Sequence, residues 1–146
     1  MVSIFGGKLQ FYTFQGSFGV LQVSIIFLIT TLHQQQKAVI AARGGTNAST
    51  WLIQRALGVY AFAVVIWLID LHLCEFINGV GPDSVLRWNP QLHAWWHVFS
   101  ITGVYFTTLL VAYQHYVAKG LSPSVYLWKG FAPALTLEGA SHKKAL

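Results

Sequence analysis

Three long apolar runs separated by polar links organise the chain. The first covers residues 12–33 and holds FGVLQVSIIFLITTL; the second covers 51–73, WLIQRALGVYAFAVVIWLIDLHL; the third covers 92–116. HQQQKAVIAARGGTNAST joins the first to the second, CEFINGVGPDSVLRWNPQ joins the second to the third, and residues 117–146 form a tail. Each run approaches the ~20 residues that an α-helix needs to cross the hydrocarbon core of a bilayer. None alternates strictly between apolar and polar positions, as the strands of a membrane barrel do. Backbone inside a bilayer must satisfy its own hydrogen bonds, so continuous apolar runs select helices. The pattern predicts an all-α membrane protein with three transmembrane helices.

Composition strengthens this reading. Only 9% of the residues are charged, against about 25% in soluble domains, too few to cover a globular surface. The net charge of +5 does not signal a nucleic-acid partner, because the nine Lys and Arg are scattered between apolar runs and form no basic stripe. They serve instead as orientation signals. Lys37, Arg43 and Arg55 surround the first link, and Lys119, Lys129, Lys143 and Lys144 occupy the tail against Glu138 alone. On the second link Arg87 stands beside Asp70, Glu75 and Asp83. The positive-inside rule then places the first link and the C-terminal tail in the cytosol, and the second link and N-terminus on the lumenal or outer face. The sequon Asn47-Ala48-Ser49 falls on the cytosolic side, so no glycan is expected there. A cleavable leader over the first run is disfavoured, because Lys8 is the only charge ahead of it and the leader would be unusually long. The single cysteine, Cys74, excludes an internal disulfide.

The third run carries the candidate chemistry. Asn89 suits an N-cap and Pro90 the first helical position, so the helix is expected to begin there. His93 and His97 then lie in its first two turns, four residues apart on one face, which Ser100 and Val104 continue. Two imidazoles at this spacing can bind one Zn2+ from a single helix. The alternative is a hydrogen-bonded histidine pair at the membrane interface. His33, His72, His115 and His142 read as interfacial side chains. The pattern differs from the metalloprotease helix, where a glutamate follows the first histidine as general base; here Ala94, Trp95 and Trp96 intervene. The Trp pair anchors the helix at the interface or packs against its neighbour. At the end of the second run, Trp67, Asp70 and Cys74 share a helix face. Asp70 is a candidate to orient one of the histidines through a hydrogen bond; the alternative is that it ends the span in water. Arg55, at the other end of that run, is read as reaching to the cytosolic boundary.

These residues resemble a known family. LHAWWHVFSITGVYF is similar to the last helix of the alkaline ceramidases, with its His-x-x-Trp-His pattern, and WLIDLHLC resembles the helix before it. The tail YLWKGFAPALTLE is similar to the family's C-terminus, and FQGSFGVLQVSIIF is matched to the helix preceding these. The resemblance implies a seven-helix zinc hydrolase of the endoplasmic reticulum or Golgi membrane, related to the adiponectin receptors, with its C-terminus cytosolic. It implies hydrolysis of the linear amide bond of ceramide to sphingosine and fatty acid by zinc-bound hydroxide. Two of three zinc-binding histidines map onto His93 and His97. The family's third histidine, its serine and its catalytic aspartate have no counterpart here, and that aspartate's role is not carried over to Asp70. The acidic cluster that binds Ca2+ in the family is absent as well. The expectation is a single partial domain over residues 1–146, matching the fifth to seventh helices. It is either a truncated ceramidase, inactive in isolation, or a non-catalytic member that modulates a full-length partner. Ceramide or a related sphingolipid, membrane lipids, and a full-length partner or homo-oligomer are the expected partners.

Overall fold

The structure is a computed structural model, and it describes residues 7–42, 46–77, 79, 82–130 and 132–137. The acidic and basic residues that close the tail, Glu138, His142, Lys143 and Lys144, lie outside the described residues, as does Arg43. Three helices and two strands follow in order: α1 Lys8–Ala42, α2 Thr46–Ile77, α3 Leu92–Ala118, β1 Pro123–Trp128 and β2 Ala132–Leu137. All three helices are long and apolar enough to cross a membrane. The chain falls into two units, residues 1–37 and 38–146.

In the first unit the apolar run of α1 presents hydrophobic side chains to more than one side, as a lipid-facing helix does; Leu21, Val23 and Phe27 are all exposed. Three of its hydroxyls are satisfied within the helix. Thr13, Ser24 and Thr30 each donate to the carbonyl four residues back, at 2.8 Å, the usual way a hydroxyl is accommodated in lipid. Both α1 and α2 extend well beyond the predicted spans. Much of the first link is helical, because Gln, Lys and Ala are strong helix formers even where they are polar.

The second unit is built on α2 and α3, packed antiparallel. Trp51 meets Phe106 with ring centroids 5.8 Å apart, Phe62 meets Phe99 at 4.9 Å, and Trp67 meets Trp96 at 6.3 Å. Leu52, Ala56, Ala63 and Ile66 of α2 are buried, as are Trp96, Gly103, Leu110, Tyr113 and Val117 of α3. The three- and four-residue spacings put each set on one stripe. Small residues let the helices approach closely, as in membrane helix pairs generally. A Cβ built on Gly103 would lie 2.6 Å from Cδ2 of Tyr60.

The ends of α3 are set by different devices. Its N-terminus is not the predicted one. Asn89 does not cap the helix; its Oδ1 accepts a bond from the Gln91 N–H at 2.8 Å, a local turn that competes with capping. Gln91, with φ 53°, is the cap residue and makes no side-chain cap bond, so the helix starts at Leu92. At the other end Gly120, at φ 84°, terminates the helix. Its N–H bonds the Val117 carbonyl at 3.0 Å and the Leu121 N–H bonds Tyr116 O at 3.0 Å, the pair of bonds of a Schellman motif.

Part of the tail forms an antiparallel hairpin with Pro123 opposite Leu137 and Trp128 opposite Ala132. Nothing in the three-helix expectation anticipated it, although VYLW has the β-branched and aromatic character of a strand. The chain reverses through Lys129 and Gly130, with φ 52° and 80°; successive positive φ values favour glycine in such turns. The hairpin lies against α3, where the Tyr105 hydroxyl donates to the Pro133 carbonyl. A cleft of about 550 Å³ separates β1 from Asn47, Ala48, Trp51 and Tyr113.

Candidate metal centre

The link between α2 and α3 brings the end of one helix to the start of the next. Ser84 organises it. Its Oγ accepts from the Gly79 N–H at 2.8 Å and lies 3.2 Å from Phe76 O and 3.1 Å from Leu86 O, while the Val85 N–H bonds Phe76 O at 2.8 Å. Gly79 has φ +73°, and a Cβ there would meet the Trp88 backbone at 2.6 Å. The position therefore requires glycine both for its dihedral and for the close approach.

This connection places Asp70 beside His93. The carboxylate Oδ2 is 3.3 Å from Nδ1 of the imidazole, with the His93 side chain largely exposed and Asp70 about a quarter exposed. Trp67, one turn before Asp70, packs on Trp96. Trp96 is buried and touches both histidine rings, with centroids 5.1 Å from His93 and 4.3 Å from His97. Its neighbour Trp95 is half exposed and stacks on Phe99. The two indoles thus divide the roles expected of the pair: Trp96 packs between helices and Trp95 faces outward. Sequence reasoning marked the pair but not which member supports the histidines; that depends on which side of α3 meets α2.

The His93 and His97 rings have centroids 4.9 Å apart and planes at 82°. Two imidazoles on one tetrahedral zinc, with Zn–N of ~2.0–2.1 Å, have centroids about 5 Å apart. The spacing of the pair matches that value, which is also the spacing of two rings in edge-to-face contact. The donor set does not complete a site by itself. Among the described residues, no three His, Cys, Asp or Glu side chains come together to hold a metal ion. His72, two residues beyond Asp70, is exposed and does not join the pair. Cys74 is a free, exposed thiol lining a small recess with Asp70, Asn89 and Pro90. Three residues beyond His97, the Ser100 hydroxyl is buried with no hydrogen-bond partner. A mid-helix serine ordinarily bonds back to the carbonyl one turn earlier, and this one does not.

Known proteins resemble this chain over much of its length. Alkaline ceramidase YPC1 of Saccharomyces cerevisiae is 26% identical over 148 residues, covering 82% of this chain and 46% of the yeast protein. Alkaline ceramidase 3 of Mus musculus is 28% identical over 85 residues, covering 57% of this chain and 32% of the mouse protein. The chain thus spans less than half the length of these curated relatives. No solved structure matches it. The profile of the Ceramidase family matches residues 3–136, taking in all three membrane-spanning helices and all but the last residue of the hairpin. On this match, the chain belongs to the ceramidase family.

Proposed function

We propose that this chain supplies two zinc ligands, His93 and His97, to a ceramidase-type hydrolase that cleaves the amide bond of ceramide or a related sphingolipid. The products are sphingosine and a fatty acid. The observation that carries this reading is the histidine pair at zinc-sharing distance on the first turns of α3. The names of the relatives supply the reaction class. A zinc ion held there would polarise the amide carbonyl and acidify a water at neutral pH. Trp96 backs the two rings and is itself packed on Trp67 of α2. The exposed apolar residues Ile101 and Val104 extend from the histidines along α3, a surface suited to the acyl chain of a lipid substrate. The third ligand, and the group that carries a proton to the leaving amine, come from outside the described residues. By itself the chain is therefore expected to be inactive. The proposed location is the endoplasmic reticulum or Golgi membrane as a multi-pass protein with a cytosolic C-terminus; no role is assigned to Ca2+.

The experiment is a graft. Residues 3–136 replace the corresponding segment of the yeast relative, and release of sphingosine from labelled ceramide is followed in membranes. Turnover is expected in the graft, and a loss of at least 100-fold on His93→Ala or His97→Ala, since each removes a metal ligand (an order-of-magnitude expectation). A correctly inserted graft whose turnover survives both substitutions would refute the ligand assignment. The incomplete donor set also supports a second reading, a non-catalytic member that modulates a full-length partner. Co-expression of this chain with the intact yeast enzyme separates the two, because only modulation changes turnover without the chain contributing ligands.

A further inference from the structure

The zinc reading leaves open which nitrogen of His93 binds the metal, and what fixes that choice. The geometry points to Asp70 as the positioning residue: we infer that its carboxylate holds His93 in the Nδ1-protonated tautomer and so presents Nε2 as the ligand. This inference rests on the zinc reading of the pair.

Oδ2 of Asp70 lies 3.3 Å from Nδ1 of His93 and belongs to the neighbouring helix. An ionised carboxylate only accepts hydrogen bonds, so the shared proton sits on Nδ1. In a neutral imidazole the other nitrogen then carries the lone pair, and Nε2 is the metal-binding atom. Carboxylates partnered with metal-binding histidines act in this way, setting tautomer and ring orientation and raising basicity. Three features make the contact specific to this pair. Asp70 is about a quarter exposed, so the carboxylate side of the bond is partly shielded from water, while the His93 ring is largely exposed. Trp67, one turn earlier on α2, packs against Trp96, which touches both histidine rings. The position of Asp70 relative to His93 is thus fixed by an aromatic contact adjacent to it. Finally, His97 faces no carboxylate among the described residues, so the two ligands are set differently: one by Asp70, the other by packing on Trp96. Asp70 touches neither metal nor substrate on this reading and acts only through His93.

The test reads the tautomer directly and needs no metal. In the full chain in detergent micelles, the ring nitrogens of His93 are assigned by long-range nitrogen–proton correlation at a pH where the ring is neutral. The wild type is expected to show the Nδ1-protonated form. Asp70→Ala is expected to shift His93 toward the Nε2-protonated form that predominates in free imidazole side chains, and to leave the His97 signals in place. Asp70→Asn, which keeps an acceptor but not the charge, is expected to fall between. Zinc titration of the same samples should show affinity lowered about 10- to 100-fold in Asp70→Ala. Helicity and the thermal midpoint check that each variant folds. Misfolding that separates Trp67 from Trp96 would move the His97 signals too, and Asp70→Asn then carries the comparison. An unchanged His93 tautomer in a folded Asp70 variant overturns the inference whether or not zinc binds. If the tautomer shifts as expected but His97→Ala leaves zinc affinity unaltered, Asp70 does position His93 and it is the shared-ion reading that fails.

Discussion

Replacing Gly103 by alanine tests whether close approach of α2 and α3 holds the second unit together. In a helix interior, Gly→Ala normally stabilises by about 0.8–1.0 kcal/mol, because alanine loses less backbone entropy. Gly58, on α2, is a matched control: a Cβ built there meets nothing within 4 Å, so Gly58→Ala should show that gain in full. At Gly103 the added Cβ would stand 2.6 Å from Cδ2 of Tyr60 and 3.5 Å from its Cβ and Cε2. Carbon atoms reach their optimal separation near ~3.5–4.0 Å, so the ring must retreat by about 1 Å. The Tyr60 Cβ is already at contact distance, so the ring has little freedom to swing away, and part of the movement falls on the helix pair. Overpacking of this kind costs about 1–3 kcal/mol. After the propensity gain, Gly103→Ala should be neutral to about 2 kcal/mol destabilising, some ~1–3 kcal/mol below Gly58→Ala.

The assay is unfolding of the chain in mixed micelles by increasing mole fraction of a denaturing detergent, followed by helicity and tryptophan emission. A double-mutant cycle adds Tyr60→Ala, which should remove the penalty at Gly103 and yield a coupling of about 1 kcal/mol or more. If Gly103→Ala and Gly58→Ala stabilise equally, and no coupling to Tyr60 appears, the helices do not pack through this contact and the reasoning is wrong.

Further outcomes follow from single features. Gly79→Ala should lower stability by at least about 1–2 kcal/mol, from the left-handed dihedral alone, with the collision against the Trp88 backbone adding to it; the same unfolding measurement reads it, and a neutral result would show that the link relaxes freely. Ser100→Ala removes a buried hydroxyl with no partner and should be neutral or stabilising by about 1 kcal/mol, since an unpaired buried polar group carries a desolvation penalty; a clear destabilisation would mean the hydroxyl is satisfied after all. Tyr105→Phe removes the bond to Pro133 O, worth about 1 kcal/mol, and should speed amide exchange in β1 and β2 about fivefold while leaving α2 and α3 protected. Unchanged exchange in the strands would show that the hairpin is held by other contacts.

The membrane class, the three helices and the histidine pair were legible in the amino-acid order. These depend on local quantities: apolar run length, charge content, and the i, i+4 spacing that puts His93 and His97 on one face whatever surrounds them. The same periodicity placed Trp67, Asp70 and Cys74 on a common face of α2 and marked Asp70 as a partner for a histidine. Helix ends were less legible. Polar residues with high helix propensity carry α1 and α2 past their apolar spans, and the side chain of Asn89 bonds a neighbouring backbone N–H instead of capping α3. Relations between elements came from the folded molecule. The rotation of α3 against α2 chooses Trp96 rather than Trp95 as the buried indole, brings the Asp70 carboxylate to His93 Nδ1, and sets any Cβ at position 103 against the Tyr60 ring. The docking of the tail hairpin on Tyr105 is of the same kind. A one-dimensional pattern fixes which side chains share a face, but the azimuth of one helix about its axis against another is set by the sum of packing contacts along the whole interface. No short stretch of sequence contains that sum.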